Sequence, residues 1–285
     1  MVEAMTDQDI KQQVRKFYDQ VGWQVEADGL YQNAHYEDLR PVSAEYIHRC
    51  HGRVGRHLRT AGKYLLDAGS GPVQYEEYMD YLRGYQFRVC ADISIVALME
   101  ARKKLGEKGL YVVSDVANLP FKKDVFEGVM SMHTIHHLPR EDHARAYQEL
   151  YRVLAPNSTA VVVNGWTDSA LTGWLERLVK TINRTRRKLG KSAASMKKVK
   201  RQDQIKEKGT YVQKYNAAWL KAELSGKVPI QILVWRSASV RFLRTFIHKG
   251  LGGKQLLRWL FALEEKYPRY FGENGQYPLI VIDKP

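Results

Sequence analysis

The residues best placed to do chemistry are acids and glycines in the stretch 64–78, YLLDAGSGPVQYEEY. Asp67 follows a short apolar run, and Gly69 and Gly71 come directly after it. An apolar run of this kind is typical of a parallel strand that is covered on both faces. Glycine permits backbone angles, and a close approach of a ligand, that a Cβ would hinder. The stretch therefore predicts a strand, a tight turn and the start of a helix, an arrangement that can bind a nucleotide cofactor.

The charge around this turn favours a cofactor that carries positive charge. The dinucleotide pattern G-x-G-x-x-G needs a glycine where this chain has Gln74. Glu76 and Glu77 lie in the predicted first turn of the helix, where carboxylates would repel a bound phosphate. They suit instead the ammonium and sulfonium groups of S-adenosylmethionine. Taken alone, the stretch also fits an ordinary strand, turn and helix without a ligand.

Two more acids follow later apolar runs. The run 87–91, FRVCA, ends in Asp92, which comes twenty-one positions after Gly71. In nucleotide-binding α/β folds, an acid about 20 positions on accepts hydrogen bonds from ribose hydroxyls. A third run, 110–113, leads into Asp115. Because adjacent parallel strands end at the same edge of a sheet, we expect these acids to lie near one another.

The order of these motifs resembles that of the class I S-adenosylmethionine-dependent methyltransferases (methyltransferase type 11-like), whose first motif is roughly D/E-x-G-x-G-x-G. Val73 stands where the third glycine is usual, and the stretch 133–139, HTIHHLP, is similar to the family's HHLP ending of the fourth strand. The resemblance covers residues 64–164, and residues 229–285 more loosely. It implies an α/β, Rossmann-like doubly wound sheet, mostly parallel, with an antiparallel C-terminal strand pair and a helical insertion.

The resemblance also implies which residues bind the cofactor. Asp92 would bind the ribose, with Ile93 beside the adenine. Asp115 would receive the adenine amino group, and Val116 would pack on the ring. Tyr18, in the stretch FYDQVGW, would fold over the cofactor, although a plain packing helix is the alternative there. The predicted cofactor residues are Tyr18, Asp67, Ala68, Gly69, Ser70, Gly71, Asp92, Ile93, Asp115, Val116, Met132 and His133.

Three histidines follow the fourth predicted strand, and one of them is a candidate catalytic base. A neutral imidazole at this edge can accept a proton from a substrate hydroxyl. His133 is the best candidate because it comes before His136 and His137. In a second interpretation this position contributes only backbone to the methionine part of the cofactor. A metal site is a third, but no carboxylate spacing supports it, so we predict no metal.

Composition predicts a cytoplasmic protein with a sizeable core. Of the 285 residues, 44% are hydrophobic. The two cysteines, Cys50 and Cys90, provide no disulfide framework and fit a reducing compartment. No apolar run approaches the roughly 20 residues that span a bilayer, and the N-terminus is unlike a secretory signal.

The positive charge of the chain is concentrated in one segment. The net charge is +14, and residues 180–214 contain thirteen basic residues against two acidic ones. This segment predicts an anionic acceptor, either a small molecule or RNA, or contact with an anionic membrane surface. The alternative function is an RNA- or anionic-lipid-binding protein on a methyltransferase-like scaffold. A nicotinamide oxidoreductase is a further alternative, which the missing third glycine disfavours.

We predict four parts of the chain: an N-terminal helical cap (1–60), the cofactor-binding core (61–166), a basic helical insertion that acts as a lid (167–224), and C-terminal strands and helices that complete the core (225–285).

Overall fold

The computed structural model describes residues 5–25, 31–171, 173, 181 and 209–285. These residues form one seven-stranded sheet. Its strands are β1 (Gly62–Ala68), β2 (Tyr85–Asp92), β3 (Gly109–Val113), β4 (Phe126–Met132), β5 (Leu154–Val163), β6 (Gln231–Arg236) and β7 (Tyr277–Lys284).

The order of the strands across the sheet is β3-β2-β1-β4-β5-β7-β6. The first five strands along the chain pair in parallel, whereas β7 runs antiparallel to both β5 and β6. This arrangement confirms the predicted doubly wound, mostly parallel sheet with an antiparallel C-terminal pair. The order along the chain reverses beside β1, and such a switch point is where open α/β sheets bind ligands.

The helices of the described residues lie on both faces of the sheet. Leu65 of β1 packs with Cys50 and Val54 on one face. Its neighbour Leu66 packs with Leu150 on the other. The run of apolar residues that predicted β1 therefore reflects burial on both sides. The helices are α1 (Asp7–Phe17), α2 (Ala44–Gly55), α3 (Glu77–Asp80), α4 (Ile95–Leu105), α5 (Arg140–Val153), α6 (Ala217–Leu224), α7 (Val240–Phe246), α8 (Gly253–Lys266) and α9 (Pro268–Asn274).

The N-terminal arm, defined here as residues 5–25, begins with a well-capped helix. The Thr6 side chain accepts from the backbone N–H of Asp9, and the Asp9 side chain accepts from the backbone N–H of Thr6, which forms a capping box. One face of α1 buries Ile10 and Val14. The helix then continues into a single π-helical turn, Tyr18–Gly22. The arm is thus held as an ordered element before it reaches the edge of the sheet.

The helix after the glycine turn is short. It spans Glu77–Asp80, and the chain then turns through residues 81–84. The Glu77 Oε1 atom lies 3.0 Å from Nδ1 of His48 on α2. The prediction that Glu76 and Glu77 face a cationic cofactor is wrong, because neither lines the ligand cleft and Glu77 points to α2 instead.

The basic segment that the sequence singles out lies mostly outside the described residues. Of its thirteen basic side chains the structure describes Lys214. Between residues 172 and 208, the structure describes only positions 173 and 181. Among the helices that are described, none is long and apolar enough to cross a bilayer.

Candidate functional site

A cleft of about 770 Å³ lies at the carboxyl ends of the central strands. The N-terminal arm and the segments around β6 and β7 also contribute to its wall. The structure brings every predicted cofactor residue to this cleft except Ala68, which is buried in the core at the end of β1. The predicted residues that line it are Tyr18, Asp67, Gly69, Ser70, Gly71, Asp92, Ile93, Asp115, Val116, Met132 and His133.

The turn after β1 has three residues in the left-handed backbone region. Gly69 and Gly71 have φ angles of +76° and +54°, and Val73 has a φ angle of 53°. A Cβ on Gly71 would lie 2.9 Å from the Trp23 ring, and one on Gly69 would overlap Thr134. Both glycines are therefore required by the backbone angle and by the narrow space above it. Val73 adopts a conformation that suits glycine, so this part of the turn is strained.

Asp92, at the end of β2, ties this turn to the start of α4. Its Oδ2 accepts a hydrogen bond from the backbone N–H of Gly71 at 2.8 Å, and its Oδ1 accepts one from Ser94 at 2.8 Å. Burial raises the pKa of this carboxyl to about 6, although the two N–H bonds favour its charged form. Each oxygen still has a lone pair for another donor. Asp92 is thus placed to accept a ribose hydroxyl.

Asp67 has a structural partner that the sequence did not reveal. Its Oδ2 accepts hydrogen bonds from Nη2 of Arg88 at 2.5 Å and from Nε at 3.1 Å. Arg88 also donates to the carbonyl oxygen of Tyr78 at 2.5 Å. Burial raises the pKa of Asp67, and the positive charge of Arg88 opposes that rise. The pair joins β1 to β2 below the turn, so one carboxylate oxygen is committed to the fold although Asp67 lines the cleft.

Asp115, after β3, anchors the N-terminal arm. The Nζ atom of Lys11 lies 2.6 Å from Oδ2 of Asp115 and 2.5 Å from Oδ2 of Asp142. Burial lowers the pKa of Lys11, but its hydrogen bonds to the two carboxylates outweigh burial and raise it overall. Oδ1 of Asp115 accepts from the backbone N–H of Ala117 at 2.9 Å. The residue predicted to meet the adenine amino group therefore also fixes α1 beside that position.

The arm also closes over the cleft through Tyr18 and Trp23. The Tyr18 hydroxyl lies 2.8 Å from Nε2 of His137, whose Nδ1 lies 2.8 Å from the carbonyl oxygen of Tyr211. A carbonyl can only accept, so Nδ1 carries the proton and Tyr18 donates to Nε2. Burial lowers the pKa of His137 to about 4, which keeps this ring neutral. Trp23 stacks on Tyr18 with ring centroids 5.1 Å apart.

His133, the predicted base, follows β4 with a φ angle of 57°. Its ring contacts those of Trp235 and Tyr277, with centroids 5.0 and 5.7 Å away. In the described part of the chain neither ring nitrogen has a hydrogen-bond partner. Burial and the positive charges of Arg236 and Lys214 together lower its pKa to about 3. The imidazole is neutral near pH 7 and is open to a proton from a bound molecule.

Comparison with known proteins places the central part of the chain in a family. Residues 66–162 match the family described as a methyltransferase domain. A solved geranyl diphosphate C-methyltransferase from Streptomyces coelicolor A3(2), in complex with S-adenosyl-L-homocysteine, has the same fold, with a TM-score of 0.53 at 14% identity over 97% of this chain and 98% of that chain. The predicted methyltransferase domain is therefore confirmed over residues 66–162, about a third of the chain.

Two curated proteins are similar to the methyltransferase domain in sequence. A tRNA (carboxymethyluridine(34)-5-O)-methyltransferase from Arabidopsis thaliana is 27% identical over 157 residues, or 47% of this chain. A probable tRNA methyltransferase 9B from Mus musculus is 26% identical over 141 residues, or 48% of this chain. The alignments cover 37% and 30% of those proteins. The chain therefore matches about a third of the length of these curated relatives.

The methyltransferase domain has space and polar groups that fit its family's cofactor. The hydroxyl of Ser114, beyond β3, is buried, as is the indole Nε1 of Trp23, and neither has a partner within the described ranges. Both residues line the cleft, next to Asp115 and Gly71 respectively. Together with the carboxylate of Asp92, these groups can satisfy the hydroxyls and ring nitrogens of a nucleoside. The same ranges contain no cluster of three or more His, Cys, Asp or Glu side chains that could hold a metal ion.

The cleft continues beyond the predicted cofactor residues into a region rich in aromatic and cationic side chains. Arg236, at the end of β6, is 2% exposed and its Nη1 contacts Oε1 of Glu37. The only feature of the sequence that could have pointed to Arg236 is its charge directly after an apolar run. From the predicted lid, Thr167, Asp168 and parts of 209–214 line this region. We call it the acceptor half of the cleft, and its members include Gln74, Tyr75, Tyr78, His133, Lys214, Arg236 and Tyr277.

Proposed function

We propose that this protein is an S-adenosylmethionine-dependent methyltransferase whose small acceptor binds in the acceptor half of the cleft. The observation that carries this proposal is the meeting of two sets of residues in one cleft. The predicted cofactor residues and a set of aromatic and cationic side chains line the same cleft. His133 belongs to both sets, so the methyl donor and the acceptor would meet beside its ring.

The cofactor would be held mainly by backbone-anchored groups. Asp92 would accept hydrogen bonds from the ribose, because its two oxygens are already oriented by Gly71 and Ser94. Ile93 and Val116 would cover the adenine. Asp115 would accept a hydrogen bond from the adenine amino group with a lone pair that Lys11 and Ala117 leave unused. A site that is oriented before binding loses less free energy to ordering its side chains.

Bound S-adenosylmethionine supplies an activated methyl group on its sulfonium, so the protein needs no covalent nucleophile. The residues of this chain then have two tasks, which are to align the acceptor and to take its proton. His133 can take this proton because its nitrogens have no other described partner, although the burial that keeps its ring neutral also makes it a weaker base. Tyr18 and Trp23 would exclude water, because they lie over the glycine turn.

A tRNA acceptor is the second candidate. Two observations favour it: the curated relatives are named as tRNA methyltransferases, and the net charge of the chain is +14. In that case the basic segment would contact the phosphate backbone and the target nucleotide would enter the acceptor half. A protein that only binds RNA or anionic lipid on this scaffold would need no cofactor. Cofactor binding therefore separates that alternative from both methyltransferase functions.

The test is a transfer assay with a methyl donor labelled on its methyl group. The protein is incubated with a small-molecule extract and, separately, with total tRNA, and each is compared with a sample that lacks protein. We expect label in the small-molecule fraction. Label in tRNA alone would move the acceptor to RNA, and failure of S-adenosylhomocysteine to bind in calorimetry would contradict the proposal itself.

A further inference from the structure

Two cations of the acceptor half lie in the same part of the cleft, near Tyr277 and His133. The guanidinium carbon of Arg236 is 4.6 Å from the centroid of the Tyr277 ring. A Cβ built on Gly165 would be 3.0 Å from Nζ of Lys214 and 3.6 Å from Cε1 of Tyr277, so both side chains lie beside Gly165. His133 contacts Tyr277 from another side, at 5.7 Å between centroids. The positive charges of both cations lower the pKa of His133, so the two cations and the candidate base lie near one another.

Both cations have unused capacity to donate hydrogen bonds. Arg236 is 2% exposed, and its Nε is buried without a partner among the described residues although Nη1 contacts Glu37. Lys214 is half-buried, and burial lowers its pKa with no opposing charge nearby. It forms no ion pair with any described residue, including Asp168, which lies at the exposed rim of the same half. A buried hydrogen-bond donor without a partner costs free energy. A ligand that accepts hydrogen bonds from both cations would remove this cost without displacing a protein partner.

We infer that Arg236 and Lys214 form an anion-binding subsite, and that the methyl acceptor carries a carboxylate or a phosphate that binds there. This inference rests on the proposed function and specifies its substrate class. An oxyanion between the two cations can accept from Nε of Arg236 and Nζ of Lys214 at once. The anionic group would fix the acceptor with its reactive atom next to His133.

The charge balance of the acceptor half supports an anionic ligand over a neutral one. Glu37 neutralises Arg236, as the buried ion pair shows. That leaves the charge of Lys214 uncompensated inside the wall of the cleft. Arg241 and Arg244 line the same region on α7. A cationic wall with one half-buried, uncompensated charge raises the local concentration of anions and repels cations.

The test uses small anions as probes, titrated by calorimetry into the protein saturated with S-adenosylhomocysteine. The probes are inorganic phosphate and acetate, at constant ionic strength adjusted with chloride. We expect one of them to bind the wild type, and Lys214→Gln to weaken that binding at least tenfold. Lys108→Gln is the matched control, because Lys108 is exposed and remote from the cleft. Stronger binding of phosphate than acetate indicates a phosphorylated acceptor, and the reverse order indicates a carboxylic acid.

A second variant tests Arg236 without leaving a buried charge unpaired. Replacing Arg236 alone would strand Glu37, so the double change Glu37→Gln and Arg236→Gln removes both charges together. It should also abolish binding of the probe anion while S-adenosylhomocysteine still binds. The subsite is overturned if the wild type binds neither probe, or if Lys214→Gln binds the probes like the wild type. Because cofactor binding is measured on the same samples, a failure of the subsite is distinguished from a failure of the proposed function.

Discussion

Replacing Asp92 with asparagine should weaken cofactor binding. The change keeps the size of the side chain but removes its charge, and only one oxygen remains to accept from Gly71 or Ser94. A hydrogen bond to a charged group contributes about 1.5–3 kcal/mol. Loss of the charged ribose contact should therefore raise the Kd of S-adenosylhomocysteine roughly 10- to 150-fold. Isothermal calorimetry at pH 7 measures this directly.

The same variant should change how cofactor affinity depends on pH. Burial raises the pKa of Asp92 to about 6, so at pH 5 only about a tenth of this carboxyl is ionised. Because the ionised form is the better acceptor, the Kd of the wild type should rise between pH 7 and pH 5. The Kd of Asp92→Asn should stay flat over this range. Asp80→Asn, an exposed position outside the cleft, should follow the wild type. Equal affinities of the wild type and Asp92→Asn at pH 7 would refute the reasoning.

Three further predictions concern the base, the buried ion pair and the histidines. His133→Ala should lower turnover by roughly 10²–10⁴-fold with cofactor affinity little changed, and a loss below tenfold on the true substrate would leave His133 a structural residue. Arg88→Met leaves Asp67 buried and unpaired, so urea unfolding should show a loss of about 3–5 kcal/mol, while Arg102→Met at an exposed site should show almost none; similar curves for the two variants would contradict the role assigned to this pair. Burial lowers the pKa of His133 to about 3, and those of His137 and His143 to about 4. The unfolded chain therefore binds more protons than the folded one between about pH 6.5 and pH 4, and the free energy of unfolding should fall as pH drops through that window by about 1.4 kcal/mol per pH unit for each such histidine. The raised pKa of Asp92 offsets part of this fall. An equal free energy of unfolding at pH 7 and pH 5, measured with urea, would count against neutral, buried histidines.

The strands and the glycine turn were predictable because their signals are local. An apolar run, an acid and two glycines within eight residues indicate β1 and its turn without any knowledge of the remaining chain. The same applies to Asp92 and Asp115, which directly follow apolar runs. The edge of the sheet then brings them together, since parallel strands share their carboxyl ends.

Contacts between distant parts of the chain were not predictable in this way. Arg236 meets Glu37 across 199 positions, and Lys11 meets Asp115 across 104. Nothing in the sequence near Arg236 or near Lys11 indicates which acid it pairs with. The charge of Glu77 was read from its predicted place in a helix, but the turn of the chain after β1 directs it to His48. Pairing of this kind depends on the packed fold rather than on local pattern.

The central claim is that the cleft beside the glycine turn holds S-adenosylmethionine, and a crystal structure with S-adenosylhomocysteine tests it most directly. We predict the ribose hydroxyls within hydrogen-bond distance of Asp92, the adenine between Ile93 and Val116, and the sulfur facing His133. Density for the ligand elsewhere, or a ribose that does not contact Asp92, would contradict the account.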